Sequence, residues 1–340
     1  MRDRVLLTGI SGFLGGHVAL ALLNAGFAVR GSLRDIARAP KVRAALRSAG
    51  ADVSNLQFVA LDLMRDDGWR EAAEGCRYLQ HVASPLTIRM PKDRDELIRP
   101  AVEGTRRALE AALAAGVERI VLTSSTAAIM YGHPRTRAEP FTEADWSRTE
   151  GEGVSAYTES KTRAELEAWS IMEAAGRRDD LATINPTVIL GPLLDDDVGT
   201  SDVMIQRLLD GSAPAVPRFD FGIVDVRDVA ILHLNAMRMP RAGGQRFLAS
   251  AGTMSLIELA RALRARLPEH AGRIPRLELP DWAARLVAVF NRDMADNLGS
   301  LGVRRVADAS RALSLLGRPF IAPAETAAAT AQSLIERKLV

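Results

Sequence analysis

Short apolar runs alternate with longer stretches in which apolar residues recur every three or four positions. Runs of three to six such residues bounded by Gly or polar residues mark strands, and the wider spacing marks helices. Strands are expected at 5–7, 27–29, 56–61, 78–83, 119–122 and 181–184. Helices are expected through about residue 25, near 39–48, at 97–115 and from 155 to about 175. This alternation predicts an α/β fold: a doubly wound parallel sheet with right-handed crossovers. After Pro186 the rhythm breaks. Pro186, Pro192, Pro214 and Pro217 punctuate a loop-rich stretch that holds Asp195-Asp196-Asp197. Strand character returns at 221–226, and further helices are expected at 229–237, 255–266, 280–290 and 322–331.

Composition narrows the function classes. The chain has 340 residues, 47% hydrophobic and 25% charged, enough apolar surface for roughly two domains and against wholesale disorder. Lys+Arg 44 against Asp+Glu 42 gives a net charge of +2. The basic residues are scattered rather than gathered on one stretch, so nucleic acid is not an expected partner. The absence of a run of 18 apolar residues argues against a membrane span. A start without the apolar stretch of a signal peptide, and a single cysteine, Cys76, point to the cytoplasm. The five histidines show no metal-ligand spacing, and no metal is expected. The triple aspartate reads as a solvated loop. Lysine is scarce: only Lys41, Lys92, Lys161 and Lys338 occur, so a lysine inside a motif is informative.

Two motifs carry chemistry. Gly9, Gly12 and Gly15 lie between the first strand and the first helix. In that context the first glycine allows a tight turn, the second a close approach by pyrophosphate and the third close helix packing, with the helix N-terminus facing the anion. The second strand leads into Ser32-Leu33-Arg34-Asp35, with Lys41 beyond. An arginine and an ammonium there suit the 2′-phosphate of NADP, while Asp35 is the competing, NAD-type feature. Tyr157 and Lys161 are four residues apart near the start of a helix and share one face. The ammonium is expected to lower the pKa of the phenol, which makes Tyr157 a candidate general acid toward a carbonyl oxygen. The fifth strand ends in Thr123-Ser124-Ser125-Thr126, at the edge where such sheets bind ligands. Ser125 is the chosen substrate-facing serine and Ser124 the alternative.

In order along the chain come the Gly9-Gly12-Gly15 turn, Asp62-Leu63, Val82-Ala83-Ser84-Pro85, Ser124-Ser125, Tyr157/Lys161 and Asn185-Pro186-Thr187. With these the chain resembles the extended short-chain dehydrogenases/reductases, and within them the dihydroflavonol 4-reductase-like aldehyde and ketone reductases. The resemblance implies a Rossmann domain over 1–190, with a return at about 222–250. It also implies a smaller substrate-binding lobe from 191–221 and 251–340. It implies Ser125, Tyr157 and Lys161 as the catalytic triad. The cofactor, NADP(H), would meet Gly9, Gly12, Phe13, Leu14, Gly15, Arg34, Lys41, Asp62, Leu63, Val82, Ala83, Ser84, Tyr157, Lys161, Pro186, Val188 and Ser201. The expected partner is a small-molecule carbonyl substrate, and the expected assembly a monomer or homodimer. The substrate pocket is expected from Pro85-Leu86 onward, Met130-Tyr131 and the loop after Pro192 with Met204. The rival readings are a nucleotide-sugar epimerase or dehydratase holding NAD, a hydroxysteroid-type dehydrogenase, and a dinucleotide-sensing regulator without activity. The triple aspartate departs from the apolar residues of plant relatives, and nothing matches a reader of a flavonoid ring.

Overall fold

The computed structural model describes residues 3–85, 93–151, 154–212 and 214–340; Leu86 and Lys92 lie outside them. The strands are β1 (Arg4–Thr8), β2 (Ala28–Leu33), β3 (Leu56–Ala60), β4 (Tyr78–His81), β5 (Arg119–Thr123), β6 (Leu181–Pro186), β7 (Val188–Leu190), β8 (Ala215–Pro217), β9 (Asp220–Asp225), β10 (Gln245–Ala249), β11 (Gly252–Ser255) and β12 (Leu277–Leu279). The helices are α1 (Phe13–Asn24), α2 (Ala39–Ser48), α3 (Trp69–Ala73), α4 (Asp95–Ala114), α5 (Ala156–Ala174), α6 (Asp202–Leu209), α7 (Val226–Arg238), α8 (Leu256–Arg266), α9 (Asp281–Ala288), α10 (Arg292–Asn297), α11 (Ser310–Leu316) and α12 (Pro323–Glu336).

Seven strands form one parallel sheet in the order β10-β6-β5-β4-β1-β2-β3. The order reverses direction beside β1, which opens a crevice at the carboxyl ends of β1 and β4. One face packs on α1, α2, α7 and α11 through residues such as Val18, Leu22, Leu46, Val229 and Leu315. The other packs on α3, α4 and α5 through Trp69, Leu109, Ala168 and Met172. The interior strands are covered on both sides, which is why they read as near-continuous apolar runs.

A second core gathers Leu190, Ile205, Leu208, Ile223, Leu259, Leu263 and Leu334. Its sheet is β11-β9-β7, and β12 pairs with β8 beside it. Residues 188–190 and 222–225, which sequence reading joins to the large sheet, therefore pair in the small one, whereas α7 and β10 return to the large one. Asp225 ties the two bodies together: it caps α7 through the Arg227 amide at 2.9 Å and accepts from Thr326 Oγ1 of α12 at 3.0 Å. Asp228 accepts the Ile321 amide at 2.7 Å. Among the described residues no helix is long and apolar enough to cross a membrane.

Candidate functional site

The parallel strands end along one edge, and the candidate residues collect there. Gly9 has φ +72, and a Cβ on it would come within 2.9 Å of the Ala83 backbone. A Cβ on Gly15 would lie 2.0 Å from the Gly9 carbonyl oxygen. Neither position tolerates a side chain, so the turn holds one shape. That shape is braced from below: Ser32 Oγ accepts the Gly9 amide at 3.3 Å, and Thr8 Oγ1 accepts the Val82 and Ala83 amides, each at 3.1 Å. Gly12 caps α1 without a side-chain hydrogen bond, and the first turn of α1 carries no acidic residue. The amides of Phe13 and Leu14 thus have no intrahelical partner and face outward as anion donors. This cradle fits a dinucleotide pyrophosphate.

Around it the other candidates take individual positions. Arg34 is exposed at the end of β2, and among the described residues its guanidinium makes no hydrogen bond. Asp35, the competing acid, engages its carboxylate on the Ala37 amide at 3.0 Å. Lys41 is held by the acidic loop, 2.7 Å from Asp197 and 3.7 Å from Asp195, and Arg38 also pairs with Asp197. Asp196 pairs with Arg337 at 2.8 Å. The triple aspartate is therefore pinned on both flanks, not merely solvated as its polarity suggests. Asp62 accepts the Met64 amide at 2.8 Å, and Leu63 packs on Gly104. Val82, Ala83 and Ser84 follow β4 and are half-buried. Pro186 closes β6, its carbonyl accepting from Thr126 Oγ1 at 3.2 Å, and Val188 opens β7. Ser201 caps α6 without a side-chain hydrogen bond.

Ser155 caps α5 by accepting the Thr158 amide at 3.1 Å, which sets Tyr157 in the first helical turn. Lys161 Nζ is 6.0 Å from the centre of the Tyr157 ring. The Ser125 hydroxyl faces the phenol and draws its pKa down, but burial is the larger cause and holds the phenol above its ordinary value. Burial thus outweighs the lowering expected from the neighbouring ammonium. The Lys161 ammonium is itself pushed down to about 8 by burial, against a smaller upward pull from Glu165. Among the described residues the ammonium has neither a hydrogen bond nor an ion pair.

The two serines part ways. Ser124 Oγ donates to Glu165 Oε2 at 2.5 Å, while Ser125 faces Tyr157 and its hydroxyl also accepts the Ala127 amide at 3.1 Å. Glu165, missed in the sequence, is a buried hub. It accepts from Asn185 Nδ2 at 2.7 Å, Thr183 Oγ1 at 3.0 Å, Trp169 Nε1 at 3.3 Å and Arg246 Nε at 2.7 Å. Asn185 in turn donates to the Ser125 carbonyl at 3.2 Å. Glu165 stands one helical turn beyond Lys161, a spacing that could have flagged it; Arg246 lies in β10, which the sequence reading did not find. His81 and His233 are held neutral by burial, each with its pKa pushed down to about 3. His133 Nε2 meets the Ile129 carbonyl at 3.2 Å. Among the described residues no three His, Cys, Asp or Glu gather as a metal site.

The model of one family, the NAD dependent epimerase/dehydratase family, matches residues 5–249. The chain belongs to that family. The ketoreductase azaE of Aspergillus niger is 34% identical over 300 residues, covering 83% of this chain and 87% of the relative. Dihydroflavonol 4-reductase of Zea mays is 32% identical over 274 residues, covering 79% and 76%. Among solved structures, the yeast methylglyoxal/isovaleraldehyde reductase Gre2 complexed with NADPH superposes with a TM-score of 0.81 at 26% identity, over 99% of this chain and 100% of that one. The family match and these relatives make the chain an oxidoreductase of the extended short-chain dehydrogenase/reductase type.

Proposed function

We propose that this oxidoreductase is an NADPH-dependent carbonyl reductase, converting an aldehyde or ketone to an alcohol. The observation that carries the reading is Tyr157 and Ser125 meeting beside the ammonium of Lys161, at the strand ends next to the glycine cradle. Arg34, whose guanidinium makes no hydrogen bond among the described residues, favours the 2′-phosphate of NADPH. The names of the relatives, reductases and a ketoreductase, agree with it.

The residues divide the work. When bound, the cofactor supplies hydride to the carbonyl carbon. Tyr157 donates its hydroxyl proton to the carbonyl oxygen. The burial that raises its pKa keeps the phenol protonated at neutral pH, as a donor must be. Ser125 hydrogen-bonds the same oxygen and orients it. Lys161 contributes its positive charge beside the phenol and a donor for the ribose hydroxyls. Gly9, Gly12, Phe13, Leu14 and Gly15 bind the pyrophosphate, with Asp62, Leu63, Val82, Ala83, Ser84, Pro186, Val188 and Ser201 along the rest of the cofactor. Lys41 would join Arg34 at the 2′-phosphate by leaving Asp197. The lobe built on the β11-β9-β7 sheet covers the substrate side.

The test is oxidation of NADPH and NADH by the purified protein across aldehydes, ketones and diketones. Turnover is expected with NADPH and weakly with NADH. No turnover with either, in protein purified with dinucleotide already bound, would replace this reading with the epimerase one.

Lys161 sets the pH dependence. Below about 8 it is charged and above that neutral, so kcat/KM for reduction should fall as pH rises through about 8. Tyr157 lies higher and does not produce that limb. Lys161→Arg should carry the limb to higher pH; a profile unchanged by that substitution would assign it elsewhere. The free-enzyme profile of kcat/KM is the measurement.

A further inference from the structure

Several arginines near the site are paired with an acid. Arg137 sits on Asp145 through two nitrogens, at 2.9 and 3.0 Å. Arg304 reaches Asp220 at 2.9 Å, and Arg246 reaches Glu165 at 2.7 Å. Arg305 differs. Its guanidinium lies over the Tyr131 ring, 4.4 Å from the centre, and the residue is half-buried. Among the described residues no carboxylate stands within ion-pair distance of it, and its guanidinium makes no hydrogen bond. Burial pushes its pKa below the usual arginine range, and the neighbouring cation Arg135 pushes the same way.

Among the described residues Arg135 is held only by a neutral group, the Leu301 carbonyl at 2.6 Å. Arg135 and Arg305 border one recess with Met130, His133, Phe141 and the acid-paired Arg137 and Arg304, and neither of the two is matched by an acid of the chain among the described residues. Withdrawing an unpaired cation from water costs free energy unless a counter-charge arrives. A guanidinium's planar fork matches a carboxylate with two parallel hydrogen bonds. Tyr131, under the Arg305 guanidinium, lies in the segment that follows the turn begun at Ser125, and its phenol is near enough to act electrostatically on Tyr157.

We propose that Arg305, flanked by Arg135, receives a carboxylate on the carbonyl substrate, so that the substrate class is a keto acid or an aldehyde acid. The assignment rests on the carbonyl-reductase reading and adds the group that the enzyme recognises beside the reacting carbon. The stack on Tyr131 orients the guanidinium, and the absence of an internal acid leaves its charge for the ligand. A neutral ester of the same skeleton offers no counter-charge and leaves both cations unmatched.

The experiment compares benzoylformate with its methyl ester, which share one ketone, as substrates for NADPH-dependent reduction. The unmodified protein should favour the acid in kcat/KM by tenfold or more. Arg305→Met should lower the acid-to-ester ratio by about 10- to 100-fold, the range for losing a charged hydrogen-bond pair. The loss should appear mainly as a higher KM for the acid, and Arg305→Lys should recover part of it. The corresponding acylphosphonate separates a planar carboxylate from a tetrahedral phosphoryl group, and a stronger preference for the phosphonate would overturn the carboxylate assignment. An unmodified protein that prefers the ester overturns the proposal whether or not any variant folds. Turnover of neither compound, nor of any carbonyl in the wider panel, counts against the reductase reading itself; ester turnover with no gain from the acid counts against the Arg305 anchor alone.

Discussion

Replacing Tyr157 with phenylalanine is expected to leave a folded protein that binds NADPH but reduces carbonyls about 100- to 10,000-fold more slowly, the usual range for a lost general acid. The substitution removes one oxygen and leaves the ring. The ring is half-buried at the start of α5, and Ser155, which caps that helix, accepts from Thr158 rather than from Tyr157. Helix and cofactor cradle should therefore survive. What disappears is the proton that burial holds on the phenol and the hydroxyl that Ser125 meets. Single-turnover reduction and nucleotide fluorescence titration, run on the same preparation, separate the two effects. A variant with near-full turnover and unchanged nucleotide binding would remove Tyr157 from the chemistry and move attention to Ser125. A variant that loses nucleotide binding as well would assign Tyr157 a part in holding the cofactor.

The second large effect is structural. Arg246→Met is expected to destabilise the protein by about 3–5 kcal/mol, the cost of stranding one member of a buried ion pair. Glu165 is fully buried, and the Arg246 side chain is nearly so. The guanidinium also donates to the backbone carbonyls of Glu143 at 2.8 Å and Asp145 at 2.7 Å, and stacks 3.7 Å over Trp146. Its removal leaves a carboxylate with neutral donors only and loosens the segment around residues 143–146. Native stabilities are typically about 5–15 kcal/mol, so the loss would be a large share of the total. Urea unfolding of the single variants and of Glu165→Met/Arg246→Met closes a double-mutant cycle. The double variant should recover only part of the loss, because Ser124, Thr183 and Asn185 would keep donors that Glu165 had accepted. A single variant that unfolds within about 1 kcal/mol of the parent would show the pair to be marginal.

Features whose chemistry is local were readable in the chain itself. The glycine turn depends on three positions and the strand before them, and Tyr157 and Lys161 share a helix face by spacing alone. The first six strands were found, with ends displaced by a few residues: β2 runs on through Gly31 to Leu33, and β4 stops at His81. The parts that stayed hidden depend on residues far apart in sequence. Ser124 and Ser125 are adjacent, and only the position of Glu165, on a helix 41 residues later, separates their roles. Arg246 lies 81 residues from Glu165, in a strand that follows a proline-rich stretch and carries polar residues at its start. Asp197 and Lys41 meet across 156 residues. The direction of the Tyr157 shift was misread for a related reason. Sequence spacing reveals a neighbouring charge, but desolvation is a property of the assembled core and is the larger cause here.

The loop over the glycine turn has a consequence for the order in which the protein matures. Leu194 of that loop touches Gly16, and Gly199 packs near Phe13. The loop is fastened to α12: Gly191 donates to Thr330 Oγ1 at 2.8 Å, Leu193 to Ser333 Oγ at 3.1 Å, and Arg337 clasps both the Leu193 carbonyl and Asp196. The floor of the nucleotide groove is thus synthesised about 300 residues before the fastening of its roof. A nascent chain exposes an open groove until α12 has been made and has docked. Nucleotide held in that groove early would give the half-made sheet a scaffold, and α12 would then act as the latch that closes over it.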